Sequence, residues 1–158
     1  MNLPNTARKA RHAAVAVSVF ATRAERAVAK LACDGFADVR FESSAGDFDA
    51  FPSRVVLVAS TQSQQIWFQG HFPAFAVLPG VVLLQRLVVG SARILWPELG
   101  ALRELRGVKF LRPVLPGDAL VVELSRESLT EAHFRVANHG SELRAVARGA
   151  LEFLTLAS

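Results

Sequence analysis

Residues 70–85 hold the side chains whose types and spacing are best suited to chemistry. His71 lies in a Gly70-His71-Phe72-Pro73 turn, and nine residues later Pro79-Gly80 opens a nearly all-apolar segment with Gln85 in its second turn. A neutral imidazole, with an unperturbed pKa of about 6.5, takes up and returns protons near neutrality. A helix start presents backbone N–H groups that lack intrahelical partners, together with the positive end of the helix dipole, so Gly80 is placed to polarise a carbonyl oxygen. Gln85 adds a hydrogen-bonding amide nearby. Beside a hydrophobic element, these groups suit proton chemistry on an apolar acyl thioester.

The elements that must position them follow from pattern. Pro79 is tolerated in a first helical turn, where its missing N–H would have had no partner. From Val81 to Leu95 only Gln85, Arg86, Ser91 and Arg93 are polar, and Trp96-Pro97 ends the run. A helix so nearly apolar all round belongs inside a domain, wrapped by sheet. Upstream, a helix is expected over 13–32, ending at Asp34-Gly35, where glycine can adopt a left-handed cap. Its apolar face would carry Val17, Phe20, Ala24, Ala27, Val28 and Leu31, and its polar face Arg23, Arg26 and Lys30. Residues 1–12 read as a flexible lead-in. Phe36–Glu42 alternates as a half-buried strand, Ser43–Pro52 reads as a loop, and Arg54–Ser60 as a strand covered on both faces. Further strands are expected at Leu105–Arg112, Ala119–Ser125, Ala132–Ala137 and Leu143–Leu154, separated by turn residues. One buried helix followed by consecutive hairpins gives an α+β layout, an antiparallel sheet curled around a central helix at about 79–95.

Composition narrows the function classes. The 158 residues, half of them apolar, fit one globular domain. Cys33 is the sole cysteine, which excludes an internal disulfide and a cysteine-based metal cluster and fits a reducing cytoplasm. Nothing near Cys33 would activate it as a nucleophile. The net charge of +4 is uneven: residues 1–30 hold six basic groups against Glu25 alone, and the rest is close to neutral. Without basic residues interleaved with a recognition motif, nucleic-acid binding is not expected. No span is apolar enough to cross a bilayer. The Ala13–Ala21 stretch after Arg8-Lys9-Arg11 loosely meets a signal-peptide template, but the amphipathic helix is the preferred reading. No His/Cys/Asp/Glu grouping has metal-ligand spacing, and no glycine-rich dinucleotide loop is present. His12, His133 and His139 lack the context of His71 and read as surface or strand residues, and Asp118 reads as a turn former.

Two segments together resemble a known family. Phe68-Gln69-Gly70-His71-Phe72-Pro73 with Val77-Leu78-Pro79-Gly80-Val81, and then Phe110-Leu111-Arg112-Pro113-Val114-Leu115-Pro116-Gly117-Asp118, resemble the hotdog-fold β-hydroxyacyl-[acyl carrier protein] dehydratases. The Val-Leu-Pro-Gly-Val-Val wording is closest to the branch serving aryl-polyene and related polyketide pathways. The agreement covers about residues 54–154, so the chain divides into an N-terminal extension, 1–50, with a basic amphipathic helix and first strand, and a dehydratase-like domain, 51–158.

The resemblance implies a hotdog fold, a homodimer or a heterodimer with a related subunit, and a substrate carried on the phosphopantetheine of acyl carrier protein with no dissociable cofactor. It maps His71 onto the catalytic histidine and Gly80 onto the glycine whose N–H binds the thioester oxygen. The acid supplied by the other subunit falls at Gln85, a departure from the family, and Ala76 stands where the family has proline. Phe72, Phe75, Val81, Leu84 and Val88 are candidates to line an acyl tunnel, although core packing explains Phe75, Leu84 and Val88 equally well. Three readings stay open: a dehydratase in which His71 shuttles the proton, a subunit that borrows a carboxylate from a relative, and an acyl-binding protein or hotdog thioesterase.

Overall fold

The computed structural model describes residues 3–47, 51–69 and 74–156, with side chains from Thr6 onward. His71 and Phe72 therefore lie outside the described residues.

Helix α1, Leu3–Cys33, starts ten residues before the expected helix, so the residues read as a flexible lead-in are helical from Leu3. Alanine, arginine and lysine dominate that stretch, and these are strong helix formers. They are exposed and so write no apolar stripe into the sequence. The packed face is Ala16, Phe20, Ala27 and Leu31, with Ala24 and Val28 half-buried. Val17 was expected on this face but is 69% exposed, because it lies about 100° round the helix from Ala16. The helix ends as expected. Gly35 takes φ +88°, its N–H donates to the Ala32 carbonyl, and the Phe36 N–H donates to Leu31. These are the paired bonds of a Schellman cap, closed by the buried Leu31 and Phe36 side chains.

Six antiparallel strands follow: β1 Ala37–Ala45, β2 Arg54–Ser60, β3 Leu102–Phe110, β4 Ala119–Arg126, β5 Glu131–His139 and β6 Leu143–Phe153. Their order in the sheet is β1-β2-β4-β5-β6-β3. Ala37, Val39 and Phe41 face inward, as the alternation implied. Ser43–Ala45, expected as loop, extends β1, because two irregularities in register let it keep pairing with β2 as far as Arg54.

Between β2 and β3 the chain forms one helix, α2, over residues 80–95. It is α-helical over Gly80–Val82, π-helical over Leu83–Val89 and α-helical again over Gly90–Leu95. The wide middle follows from the buried positions. Leu83/Leu84, Leu87/Val88, Ser91/Ala92 and Leu95 recur every four residues. At 3.6 residues per turn each step of four overshoots by about 40°, so this stripe would wind off the sheet. A stretch with i→i+5 bonding takes up the excess, and the Gly90 N–H donates to the Gln85 carbonyl.

The stripe shares one buried core with Leu57, Leu120, Val122, Phe134 and Leu151 of the sheet, among others. The sheet wraps only this side of α2. Val81, Gln85, Arg86 and Arg93 remain exposed.

Arg23 corrects a second expectation. It does not lie on a solvated face with Arg26 and Lys30 but is largely buried, 2.7 Å from Glu98, donating to the Leu95 carbonyl and lying over the Phe51 ring. A cation at this point satisfies the Leu95 carbonyl at the C-terminal end of α2 and opposes the helix dipole. Glu98 also lies 3.5 Å from the buried Arg126 of β4, so one carboxylate joins α1, the end of α2 and the sheet.

Candidate functional site

The two signature segments meet in space. The Leu78 N–H donates to the Val114 carbonyl at 2.9 Å, fixing the approach to α2 against the turn that follows β3. Pro79, with φ −59°, delivers Gly80 as the first helical residue, and the Val82 and Leu83 N–H groups both turn back to the Pro79 carbonyl. The Gly80 N–H precedes these bonds and has no carbonyl one turn behind it within the helix. The Phe110 ring rests directly on Gly80, so a Cβ there would stand 2.7 Å from the ring. Glycine is thus required for this approach. Together with Leu78, Leu83, Leu111 and Val146 they line an apolar cavity of about 390 Å³. Its one charged residue, Arg112, donates to the Ala145 carbonyl. Asp118 is the turn former expected: its carboxylate accepts from the Leu115 N–H.

Gln85 lies elsewhere. It is exposed on α2 and lines a second cavity, of about 370 Å³, with Lys30, Asp34, Arg86, Gly90 and Arg93. Among the described residues Gly80 and Gln85 line two separate cavities. Of the candidate lining residues, Phe75 and Val81 are exposed, whereas Leu84 and Val88 belong to the core beneath α2.

The segment leading towards position 71 is fastened from two sides. The Thr61 hydroxyl donates to the Leu115 carbonyl at 2.7 Å. Gln62 donates to the Gly35 carbonyl, and Gln65 and Trp67 donate to the Asp34 carbonyl. A single 3₁₀ turn, Ile66–Phe68, then buries Phe68 and ends in a Gln69 N–H bond to Ile66. The Asp34 carboxylate extends the same junction, holding Lys30 at 2.7 Å and Arg86 at 3.6 Å, with Arg86 over the Trp67 ring.

Sequence reasoning missed Phe110 and Asp34 as neighbours of the site. Phe110 stands in the second signature, but only the fold reveals its contact with Gly80, thirty residues away. The other described histidines offer no rival. His133 lies on the outer sheet face 2.8 Å from Glu131, whose carboxyl is held below its ordinary value chiefly by that hydrogen bond. Among the described residues no group of three or more His, Cys, Asp or Glu is arranged to hold a metal ion, and no helix is long and apolar enough to cross a membrane.

Residues 49–150 match the family described as ApeI-like, ApeI dehydratase. The chain is 29% identical over 110 residues to the 3-hydroxyacyl-[acyl-carrier-protein] dehydratase FabZ of Ruminiclostridium cellulolyticum, covering 63% of this chain and 75% of that protein. It is 37% identical over 87 residues to the FabZ of Anaeromyxobacter dehalogenans, covering 49% and 55%. The chain thus spans about half the length of several of the curated relatives it matches. Among solved structures, an uncharacterized protein from Erwinia carotovora subsp. atroseptica aligns with a TM-score of 0.63 at 21% identity, over 75% of this chain and 97% of that one. The dehydratase heterocomplex ApeI:P from Xenorhabdus doucetiae aligns with a TM-score of 0.56 at 20% identity, over 73% and 96%. The fold is the hotdog fold, and the chain belongs to the ApeI-like dehydratase family.

Proposed function

We propose that this protein dehydrates 3-hydroxyacyl thioesters carried on acyl carrier protein, in fatty acid or polyene-type polyketide synthesis. The observation that carries this reading is the junction of the two signature segments, which sets the helix-start residue Gly80 beside an apolar cavity.

In the proposed reaction the His71 imidazole removes the proton on the carbon next to the thioester carbonyl. The electron pair moves into an enolate whose oxygen accepts the Gly80 N–H, a contact worth about 3 kcal/mol by analogy with other acyl sites. The enolate then expels the 3-hydroxyl, which leaves as water with the proton returned by the imidazolium. Gln85 hydrogen-bonds that hydroxyl and orients it, since an amide has no proton to give at useful pH. Dispensing with a carboxylic acid at this step costs about 10²–10⁴-fold in rate. On this account the protein works without a dissociable cofactor.

Gly80 and Gln85 line separate cavities in one protomer, which favours a site completed by a second subunit, either another copy or a related hotdog chain. That observation also sustains a second reading, a weak or inactive acyl-binding member of a heterodimer. The hotdog fold alone does not fix the reaction, because it is shared with mouse thioesterase superfamily member 2, aligned at TM-score 0.53 and 17% identity.

Incubation with 3-hydroxyacyl and 2-enoyl carrier-protein thioesters decides the matter. Wild type should interconvert the two, His71→Ala should not, and Gln85→Glu should raise turnover at least about tenfold. Release of free acid would instead mark a thioesterase. No enoyl product from any of these, alone or with a related subunit, would refute dehydration.

A further inference from the structure

Helix α1 carries a second face that the hotdog core does not use. The packed line of Ala16, Phe20, Ala27 and Leu31 covers one side of the helix. Turned about 130° from that line, Arg8, Arg11, Val15, Val19, Thr22 and Arg26 fall within an arc of about 80°. They recur every third or fourth residue, so they form one continuous ridge about 27 Å long. Each of these side chains is exposed, Val15 at 63% and Val19 at 38%. Arg8, Arg11 and Arg26 make no side-chain hydrogen bond or ion pair among the described residues. No carboxylate precedes Glu25 in the chain.

Two observations show that this ridge is unmatched in water. From Thr6 to Val15 every side chain is exposed, so this half of α1 lacks the tertiary packing that supplies most helical stability. The first turn holds no acid, and Arg8 follows near the positive end of the helix dipole with no carboxylate to offset either charge. A negatively charged partner relieves the second cost, and burial of the valines relieves the first. The valines lie between the arginines on a convex helix side, where a flat, yielding layer fits better than a shaped pocket. Guanidinium groups then reach phosphate while their stems and the valines settle among the head groups. We propose that α1 lays this face on an anionic phospholipid surface and so holds the dehydratase domain beside a membrane. The helix rests in the head-group layer, since it is not apolar enough to cross. The family match begins at residue 49, beyond α1, and the proposal is independent of the reaction assigned to that domain.

Co-sedimentation of the full-length chain with vesicles tests this, using phosphatidylcholine alone and phosphatidylcholine with about one-third phosphatidylglycerol. The anionic vesicles should retain the protein and the neutral ones should not, with retention falling as salt is added. Arg8→Gln, Arg11→Gln and Arg26→Gln combined should weaken vesicle affinity about a hundredfold. Val15→Gln with Val19→Gln should weaken it about tenfold at unchanged charge. Glutamine is a good helix former and these positions face away from the core, so the unfolding temperature and turnover should match wild type. Equal retention by both kinds of vesicle, or retention that survives the arginine substitutions, would overturn the proposal. Absence of retention together with arginine-dependent binding of an acidic carrier protein would give the ridge to a protein partner and overturn it equally.

Discussion

Gly80 and Phe110 illustrate how one missing carbon can matter at the residue scale. A methyl group at position 80 would lie 2.7 Å from a ring that is itself half-exposed, so the ring can swing away. Gly80→Ala should therefore leave the unfolding temperature nearly unchanged, since strain is relieved and alanine is the better helix former. Turnover should fall about tenfold or more, because the displaced ring crowds the Gly80 N–H offered to the thioester. A calorimetric scan beside an enoyl-formation assay checks both halves. Equal turnover would show that Gly80 serves packing alone. Among the site residues, the sequence pointed directly to Gly80, because Pro-Gly before an apolar run marks a helix start. It did not point to Phe110, because contact across thirty residues leaves no local periodicity.

At the scale of elements, the π-helical stretch of α2 makes a prediction opposite to ordinary propensity. Replacing an interior helical glycine with alanine stabilises a regular helix by about 1 kcal/mol. At Gly90 the new Cβ would press on the Gln85 carbonyl at 3.0 Å, which is the acceptor of the i→i+5 bond. Gly90→Ala should then lower stability, and it should lower turnover through Gln85. In a Gln85→Ala background the further loss of turnover should vanish, a coupling that a double-mutant cycle reads directly. A gain in stability would show that α2 is regular in solution.

The same helix shows what could have been read in advance. Its buried pairs recur every four residues in the sequence itself, yet an apolar helix offers so few polar positions that the exact period passes unnoticed. The Asp34-Gly35 end of α1 was legible because only glycine adopts that conformation cheaply. The start of α1 was not, because a solvated helix needs no stripe. Arg23 was misplaced for a related reason: a charge on a helix reads as solvated until a distant Glu98 is known to face it.

For the molecule as a whole, two features govern behaviour. The first is the Arg23–Glu98–Arg126 junction, which ties α1 to the hotdog core. Glu98→Ala would strip a partner from a buried guanidinium and should cost about 1–3 kcal/mol, read as a lower denaturant midpoint with little dependence on salt. An unaltered midpoint would mean that α1 is held by its apolar face alone. The second is the separation of the Gly80 and Gln85 cavities within one chain. If the site is completed between subunits, mixing inactive His71→Ala with impaired Gln85→Leu under subunit exchange should raise turnover above that of the two unmixed, since each mixed dimer carries one intact site. No recovery, despite demonstrated exchange, would place the whole site within one chain.

The most direct test of the account follows 3-hydroxyacyl carrier-protein thioester with the wild-type protein and with His71→Ala, measuring 2-enoyl thioester over time. The account predicts enoyl product and water from wild type, with formation abolished when the imidazole is removed. Enoyl formation that persists in His71→Ala, or its absence from wild type both alone and with a related hotdog subunit, would contradict it.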